Sequence, residues 1–130
     1  MNMSNIMNSY KTVGAQSAID VANPHRLIAM LFGGARDKLT LALAAIERED
    51  PAEKGVEISK ALGIVEYLRV SLDPGIDSEF SSQLADLYSY MERRLLEANL
   101  ENDPSKVEEV RNLLAEIEEG WNGIPEEYRA

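Results

Sequence analysis

His25 is the only histidine of the 130-residue chain, and histidine is the side chain best suited to move a proton or a phosphoryl group near neutral pH. It lies in the stretch NPHRLIAMLFGGARDKL, residues 23–39, one position after Pro24. A catalytic histidine needs an orienting partner and a group to act on, and the sequence places neither a serine nucleophile motif nor a capping carboxylate nearby. We therefore predict an ordinary surface or cap-adjacent histidine, in a protein that is not an enzyme.

The alternative function in which His25 reacts is that of a histidine phosphotransfer module. Such domains are also small, acidic helical bundles, and HRL resembles their His-x-Leu start, but HRLIAM lacks the Lys and Gly that follow the histidine there. Metal chemistry is not expected, because a di-iron bundle needs a Glu-x-x-His on each of two helices. The absence of cysteine removes thiolate zinc sites as well, so no cofactor is predicted.

Composition and charge narrow the class of protein further. A length of 130 residues with 45% apolar content suits one domain with a single core. The net charge is −10, with +2 in residues 1–40 and −12 in the remainder. An acidic body repels phosphate, so neither nucleic acid nor an anionic membrane is an expected partner. No apolar run approaches the roughly 20 residues of a membrane span and no signal peptide is recognisable, so we expect a soluble, cytoplasmic protein.

Proline after a capping side chain marks the start of three helices, at Asn23-Pro24, Asp50-Pro51 and Asp103-Pro104, and Asp77 is the predicted cap of another. Apolar residues inside the segments recur at steps of three and four, and no segment alternates as a strand would. Because the connections are short, the pattern predicts an all-α fold, an antiparallel up-down four-helix bundle. The predicted helices span 24–48, 51–72, 78–101 and 104–121. The seam of the last helix is expected in the core, and its residues are Val107, Val110, Leu114, Ile117, Trp121 and Ile124.

The two ends of the chain differ from the bundle in pattern. Ile6, Tyr10 and Val13 are spaced to share one short helical face, but Gly14 and the polar neighbours weaken it. We interpret residues 1–22 as a mobile N-terminal arm that docks on the bundle, with a frayed terminus as the alternative. Residues 23–124 are predicted to form the four-helix bundle, and residues 125–130 a C-terminal tail.

The first helix contains two adjacent glycines, Gly33 and Gly34, although a mid-helix glycine costs roughly 1 kcal/mol relative to alanine. Either the helix crosses a neighbour closely here, or the glycines form the floor of a groove that a partner helix approaches. Apolar residues cover nearly the whole circumference of this helix, which favours a surface that something must cover. The arm, a second chain or a client are the candidates.

Several motifs in one order resemble the flagellin-specific export chaperone family, usually called FliS. After Tyr10 and Val13 they read PHRLIAMLFGGARDKLTLALAAI, then KGVEISKALGIVEYLRVSLD, then LADLYSYMERRLLEANLENDPSKVEEVRNLLAEIEEGWNGI. The resemblance extends from Tyr10 to about Ile124. Phe32 and Gly33 depart from the family pattern, because the family usually has Tyr and an acidic residue at these positions. The stretch DPGIDSEFSSQL also differs from the sequence motif that is common in the family.

The resemblance implies a cytosolic chaperone that binds newly made flagellin, prevents its premature polymerisation and delivers it to the flagellar type III export gate. In the family, the C-terminal segment of flagellin wraps the bundle and becomes helical in apolar grooves. The implied partners are flagellin and the export gate. A weak homodimer is compatible with this expectation, and membrane insertion is not expected. A generic helical adaptor is the remaining alternative function.

Helices one and two are predicted to supply part of the flagellin groove, with Gly34 letting the client approach the backbone. The predicted flagellin-binding residues are Leu27, Ile28, Leu31, Phe32, Gly34, Ala35, Ile64, Val65 and Leu68. The arm residues Ile6, Tyr10 and Val13 are predicted to cap part of this site in the free protein. On flagellin binding they are expected to leave it and to become available to the export gate.

Overall fold

The computed structural model describes residues 9–10, 23–73 and 78–128. Within these ranges the chain forms only helices, and the element bounds are α1 (Pro24–Glu47), α2 (Pro51–Val70), α3 (Ser78–Glu101), α4 (Pro104–Asn122) and a 3-10 turn at Glu126–Tyr128. α1 packs against α2 and α4, and α3 closes the ring by packing against the same two helices. The predicted all-α bundle is confirmed, and each helix ends within two residues of its predicted bound.

Three of the four helices begin with the predicted pairing of a capping side chain and a proline. The Asn23 side chain accepts a hydrogen bond from the backbone N–H of Arg26 at 3.2 Å, and Asp50 accepts one from Glu53 at 3.1 Å. Asp103 caps α4 in the same way. These caps satisfy backbone N–H groups that the first helical turn leaves unpaired. Asp77, the predicted cap of α3, lies outside the described residues.

The turns α1–α2 and α3–α4 share one geometry at the same end of the bundle. Glu49 and Asn102 adopt positive φ values of 58° and 56°, and in each turn the following aspartate N–H bonds to a carbonyl five residues earlier. This is the Schellman arrangement, which closes the end of a helix. The Lys54 ammonium joins the two turns, because it donates to the Asn99 carbonyl and to the Asn102 side chain.

The core lies along the axis of the ring, and the predicted seam of α4 forms one wall of it. Every member of that seam is at most 1% exposed. Trp121 is the largest of the fully buried side chains, and its ring meets the edges or faces of Tyr10, His25 and Phe32. Trp121 of α4 therefore contacts both α1 and the N-terminal segment in the described part of the core.

Candidate functional site

His25 lies inside the bundle and pairs with Trp121. The two rings are stacked with centroids 4.9 Å apart, and the Trp121 Nε1–H donates to the His25 carbonyl at 2.8 Å. The His25 Nε2 lies 2.8 Å from the Trp121 carbonyl oxygen, and because a carbonyl only accepts, Nε2 carries a proton. Of the predicted surface or cap-adjacent histidine, the surface position is wrong, since only 6% of the residue is exposed. The position next to the cap is confirmed, since His25 follows the Asn23 cap by two residues. A phosphoryl donor has no access to this ring in the folded protein.

Tyr10 is the member of the predicted arm that the structure describes, together with its neighbour Ser9. Its side chain is 2% exposed, and its hydroxyl lies 2.7 Å from the Tyr88 hydroxyl and 3.1 Å from the Leu68 carbonyl oxygen. The Ser9 carbonyl accepts the backbone N–H of Asp73 at 3.0 Å. The segment at residues 9–10 is therefore fixed to the bundle at α2 and α3. Ile6 and Val13 lie outside the described residues.

The paired tyrosines give folding a dependence on alkaline pH. Burial raises the pKa of Tyr88 above the ordinary value of 10.0, and burial together with the neighbouring Tyr88 raises the pKa of Tyr10. Above pH 10 the unfolded chain releases these protons while the folded chain retains them. The stabilisation is therefore complete below pH 10 and is lost as the pH rises above it.

We expect the free energy of unfolding to fall above pH 10 by about 1.4 kcal/mol per pH unit for each of the two tyrosines. Tyr88→Phe removes one of them and should reduce this slope by about half, measured by urea denaturation between pH 9 and 11.5. Tyr90, whose pKa is raised mainly by a hydrogen bond to Glu109, is unchanged in this comparison. An equal slope in both proteins would show that Tyr88 does not titrate in this way.

The residues predicted to bind flagellin divide into two groups by burial. Five are fully buried in the core of the bundle and offer no surface to a partner in this state, namely Ile28, Phe32, Ala35, Val65 and Leu68. Four are partly exposed along the seam between α1 and α2, namely Leu27, Leu31, Gly34 and Ile64. The structure thus brings together a partly exposed subset on one side of the bundle, while the other members stabilise the fold beneath it.

The partly exposed subset belongs to a larger apolar surface between α1 and α2, which we call the α1–α2 surface. A Cβ built on Gly34 would lie 3.6 Å from Ile64 Cδ1, so Gly34 of α1 and Ile64 of α2 lie opposite each other. One turn from that contact, Met30 and Tyr67 are 63% and 41% exposed. We define this surface by the exposed or partly exposed apolar residues that helical periodicity places near the Gly34–Ile64 contact, namely Leu27, Met30, Leu31, Gly34, Leu41, Val56, Ile64 and Tyr67.

Neither glycine of α1 is required by a close crossing of two backbones. A Cβ on Gly33 would lie 3.7 Å from Glu118 Oε2, and the value of 3.6 Å at Gly34 is likewise an ordinary van der Waals contact. Gly63, on the outer side of α2, has no atom within 4 Å of such a Cβ among the described residues. Packing inside the bundle therefore does not explain why these helical positions lack a side chain.

Sequence reasoning missed the exposed apolar residues Leu41, Val56, Tyr67 and Val70 of α1 and α2, and Leu96 and Leu100 of α3. A signal was present in α2, where Val56, Gly63, Tyr67 and Val70 recur at steps of seven, four and three, as one helix face does. The buried residues Ala61, Val65 and Leu68 recur at steps of four and three on the opposite face, which meets the core. A helix with apolar residues on two faces is the mark of a second contact surface.

Neither a metal-binding cluster nor a membrane-spanning helix is present among the described residues. Among them, no group of three histidine, cysteine, aspartate or glutamate side chains is placed to hold a metal ion. None of the helices in the described ranges is long and apolar enough to cross a membrane.

Comparison with known proteins gives the family of the chain. The family model of the flagellar protein FliS matches residues 6–128. The chain is 45% identical over 118 residues to the flagellar secretion chaperone FliSB of Pseudomonas aeruginosa, covering 91% of this chain and 94% of that protein. It is 44% identical to the flagellar secretion chaperone FliS of Salmonella typhimurium, over 89% of this chain and 87% of the relative. With that of Bacillus subtilis the identity is 34%, over 89% and 85%. The chain belongs to the FliS family of flagellar secretion chaperones.

Proposed function

We propose that this protein is a cytosolic chaperone that binds the C-terminal segment of flagellin, prevents its premature polymerisation and delivers it to the flagellar type III export apparatus. The α1–α2 surface is the proposed place of contact, with the flagellin segment lying along it as an amphipathic helix. Binding of this kind needs apolar surface and no chemistry. The proposed function is therefore that of a binding protein and not of an enzyme.

The single observation that carries the proposal is the exposure of large apolar side chains on both sides of the Gly34–Ile64 contact. Met30, Leu41 and Tyr67 are each more than 40% exposed along this seam. Exposed apolar residues scattered singly need no explanation, but a contiguous set marks an interaction site. Membership of a family of flagellar secretion chaperones supports flagellar cargo as the occupant.

A phosphotransfer function is not favoured by any observation. Its histidine is stacked on Trp121 and hydrogen-bonded inside the bundle. A generic helical adaptor would present a similar apolar surface. Binding to flagellin distinguishes it from the proposed chaperone.

Gly34→Leu tests the proposed contact, because a leucine at this position would cover the floor between the two helices. We expect the affinity for a flagellin C-terminal peptide to fall by about tenfold or more, which is about 1.4 kcal/mol. Stability should hardly change, because the helix preference for leucine over glycine, roughly 1 kcal/mol, offsets the crowding of Ile64 by the new side chain. Titration calorimetry and thermal denaturation of the same preparations measure the two effects.

Gly55→Leu is the matched control for this experiment. Gly55 lies in α2 beside Lys54, whose ammonium reaches α3, and a Cβ there would meet no described atom within 4 Å. This variant should bind the peptide like the unaltered protein. Equal binding by a stably folded Gly34→Leu variant would remove the α1–α2 surface from the proposed function.

A further inference from the structure

Glu57 of α2 carries a buried carboxylate that the fold leaves incompletely paired. The residue is 3% exposed, and its Oε2 atom has no hydrogen-bond donor among the residues that the structure describes. Its Oε1 atom lies 3.6 Å from the Lys60 ammonium, one turn further along the helix. The Lys60 ammonium therefore forms an ion pair with Oε1, whereas Oε2 has no hydrogen-bond donor among the described residues.

Such a group opposes folding unless something outside the free chain compensates for it. A buried acceptor loses its hydrogen bonds to water, and the loss is largest for a charged group. Native proteins pair nearly all such atoms, so each exception requires an explanation. A leucine or glutamine at position 57 would avoid much of the cost in the free protein.

The position of Glu57 relates it to the α1–α2 surface. It precedes Ile64 by seven residues, which is two helical turns, so it lies on the same face of α2. Leu41 follows Gly34 by the same seven residues on α1. Because Gly34 and Ile64 are in contact and the helices run in opposite directions, Glu57 comes level with Leu41. Leu41 is 48% exposed but Glu57 only 3%, so the incompletely paired carboxylate lies beneath the edge of the proposed contact surface.

We propose that Glu57 is a specificity-determining residue whose carboxylate, covered in the free protein, accepts a hydrogen bond from an arginine or lysine of the bound flagellin segment once the half-exposed Lys60 side chain moves aside. This inference rests on the proposed function. A cationic donor is favoured over a neutral one because charge-assisted hydrogen bonds to a carboxylate are the strongest. The net charge of −10 also favours a basic over an acidic cargo residue at this position.

The consequence of this contact is the register of the cargo helix. Apolar contacts along the α1–α2 surface are non-directional, so a helix bound by them alone could slide by one turn. A single charged pair at a fixed position suppresses the shifted arrangements, because each of them leaves the carboxylate unpaired. Glu57 would then select which flagellin segment binds and in which position.

The test compares Glu57→Gln and Glu57→Leu with the control Glu66→Gln, an exposed glutamate elsewhere on α2. Thermal denaturation should show Glu57→Leu to be at least as stable as the unaltered protein. Calorimetric titration with the flagellin C-terminal peptide should show about tenfold weaker binding to both Glu57 variants. The Glu66→Gln variant should bind the peptide with unchanged affinity.

A set of peptides then identifies the partner side chain. Each arginine and lysine of the flagellin segment is replaced by methionine in turn, and each peptide is titrated into the unaltered protein and into Glu57→Leu. One replacement should weaken binding to the unaltered protein by about tenfold and have no further effect on the variant. That coupling is specific to a direct pair and is not produced by a general loss of charge.

The outcomes separate the inference from the proposed function on which it rests. If the unaltered protein does not bind the peptide, the proposed function fails. If it binds and both Glu57 variants bind equally well, or if no peptide replacement is coupled to Glu57, the inference is overturned. A marked loss of stability in both Glu57 variants would overturn it as well, because the carboxylate would then be satisfied within the free chain.

Discussion

Trp121→Ala is expected to lower the free energy of unfolding by about 3–5 kcal/mol, the range for truncating a large buried aromatic side chain. The ring is 1% exposed and joins three other aromatic rings, those of Tyr10, His25 and Phe32. Its loss would leave a cavity in the core and would remove the Nε1–H bond to the His25 carbonyl. Urea denaturation followed by circular dichroism measures the change, because the variant has no tryptophan left for fluorescence.

Two further variants test whether the loss of stability comes from the burial of the Trp121 ring. Trp121→Phe keeps most of the apolar volume and should cost less than the alanine variant. Tyr67→Ala removes an aromatic ring that is 41% exposed and should cost far less than Trp121→Ala. If the Tyr67 and Trp121 variants lose similar stability, or if native Trp121 already emits like a tryptophan in water, the placement of this ring in the core is wrong.

Tyr10→Ala is expected to release the N-terminal segment and to strengthen the binding of flagellin. Tyr10 packs edge-on against Trp121 and meets Leu68 and Tyr88 through its hydroxyl. The described anchor of the arm lies at α2 and α3 and not on the α1–α2 surface, so the proposed competition requires the cargo to extend beyond that surface to Tyr10. The apparent affinity of the free protein is then reduced by the fraction of time the arm is docked. Burying one such side chain is worth roughly 1.5–3 kcal/mol, which corresponds to about a 10–100-fold gain in affinity on release.

Hydrogen exchange and calorimetry together test this competition. Tyr10→Phe keeps the ring and should bind flagellin nearly as the unaltered protein does. In the unaltered protein, amides of residues 1–15 should exchange faster in the flagellin complex than in the free state. Deletion of residues 1–15 should leave flagellin binding intact or tighter while impairing delivery to the export gate. Slower exchange in the complex, or weaker binding by Tyr10→Ala, would instead make the arm a clamp on the cargo.

The helices were predictable because their signals are local. Asn23, Asp50 and Asp103 stand beside prolines that fix the starts of three helices, and the steps of three and four in α4 identified its buried side. The pairing of His25 with Trp121 was not predictable, because it joins residues 96 positions apart. A histidine beside a helix cap has the same local pattern whether it faces solvent or an aromatic core.

The candidate site was predictable only as a region of α1 and α2. Apolar residues on all sides of a helix indicate two contact faces, but periodicity alone does not say which face meets the core. Ile28 and Leu27 are neighbours in sequence, yet one is fully buried and the other is partly exposed. The distinction depends on how α1 is rotated against α2 and α4. The burial of Glu57 depends on the same rotation, and a glutamate in a helix otherwise predicts a solvated side chain.

The most direct test of the account is an NMR titration of the full chain, labelled at its methionine methyl groups, with the flagellin C-terminal peptide. Met30 is 63% exposed on the α1–α2 surface, and Met91 is fully buried in the core and serves as an internal reference. We predict that the Met30 methyl resonance shifts and saturates at one peptide per chain while that of Met91 changes little. A complex that leaves the Met30 resonance unchanged, or no complex at all, would contradict the proposal that this surface binds flagellin.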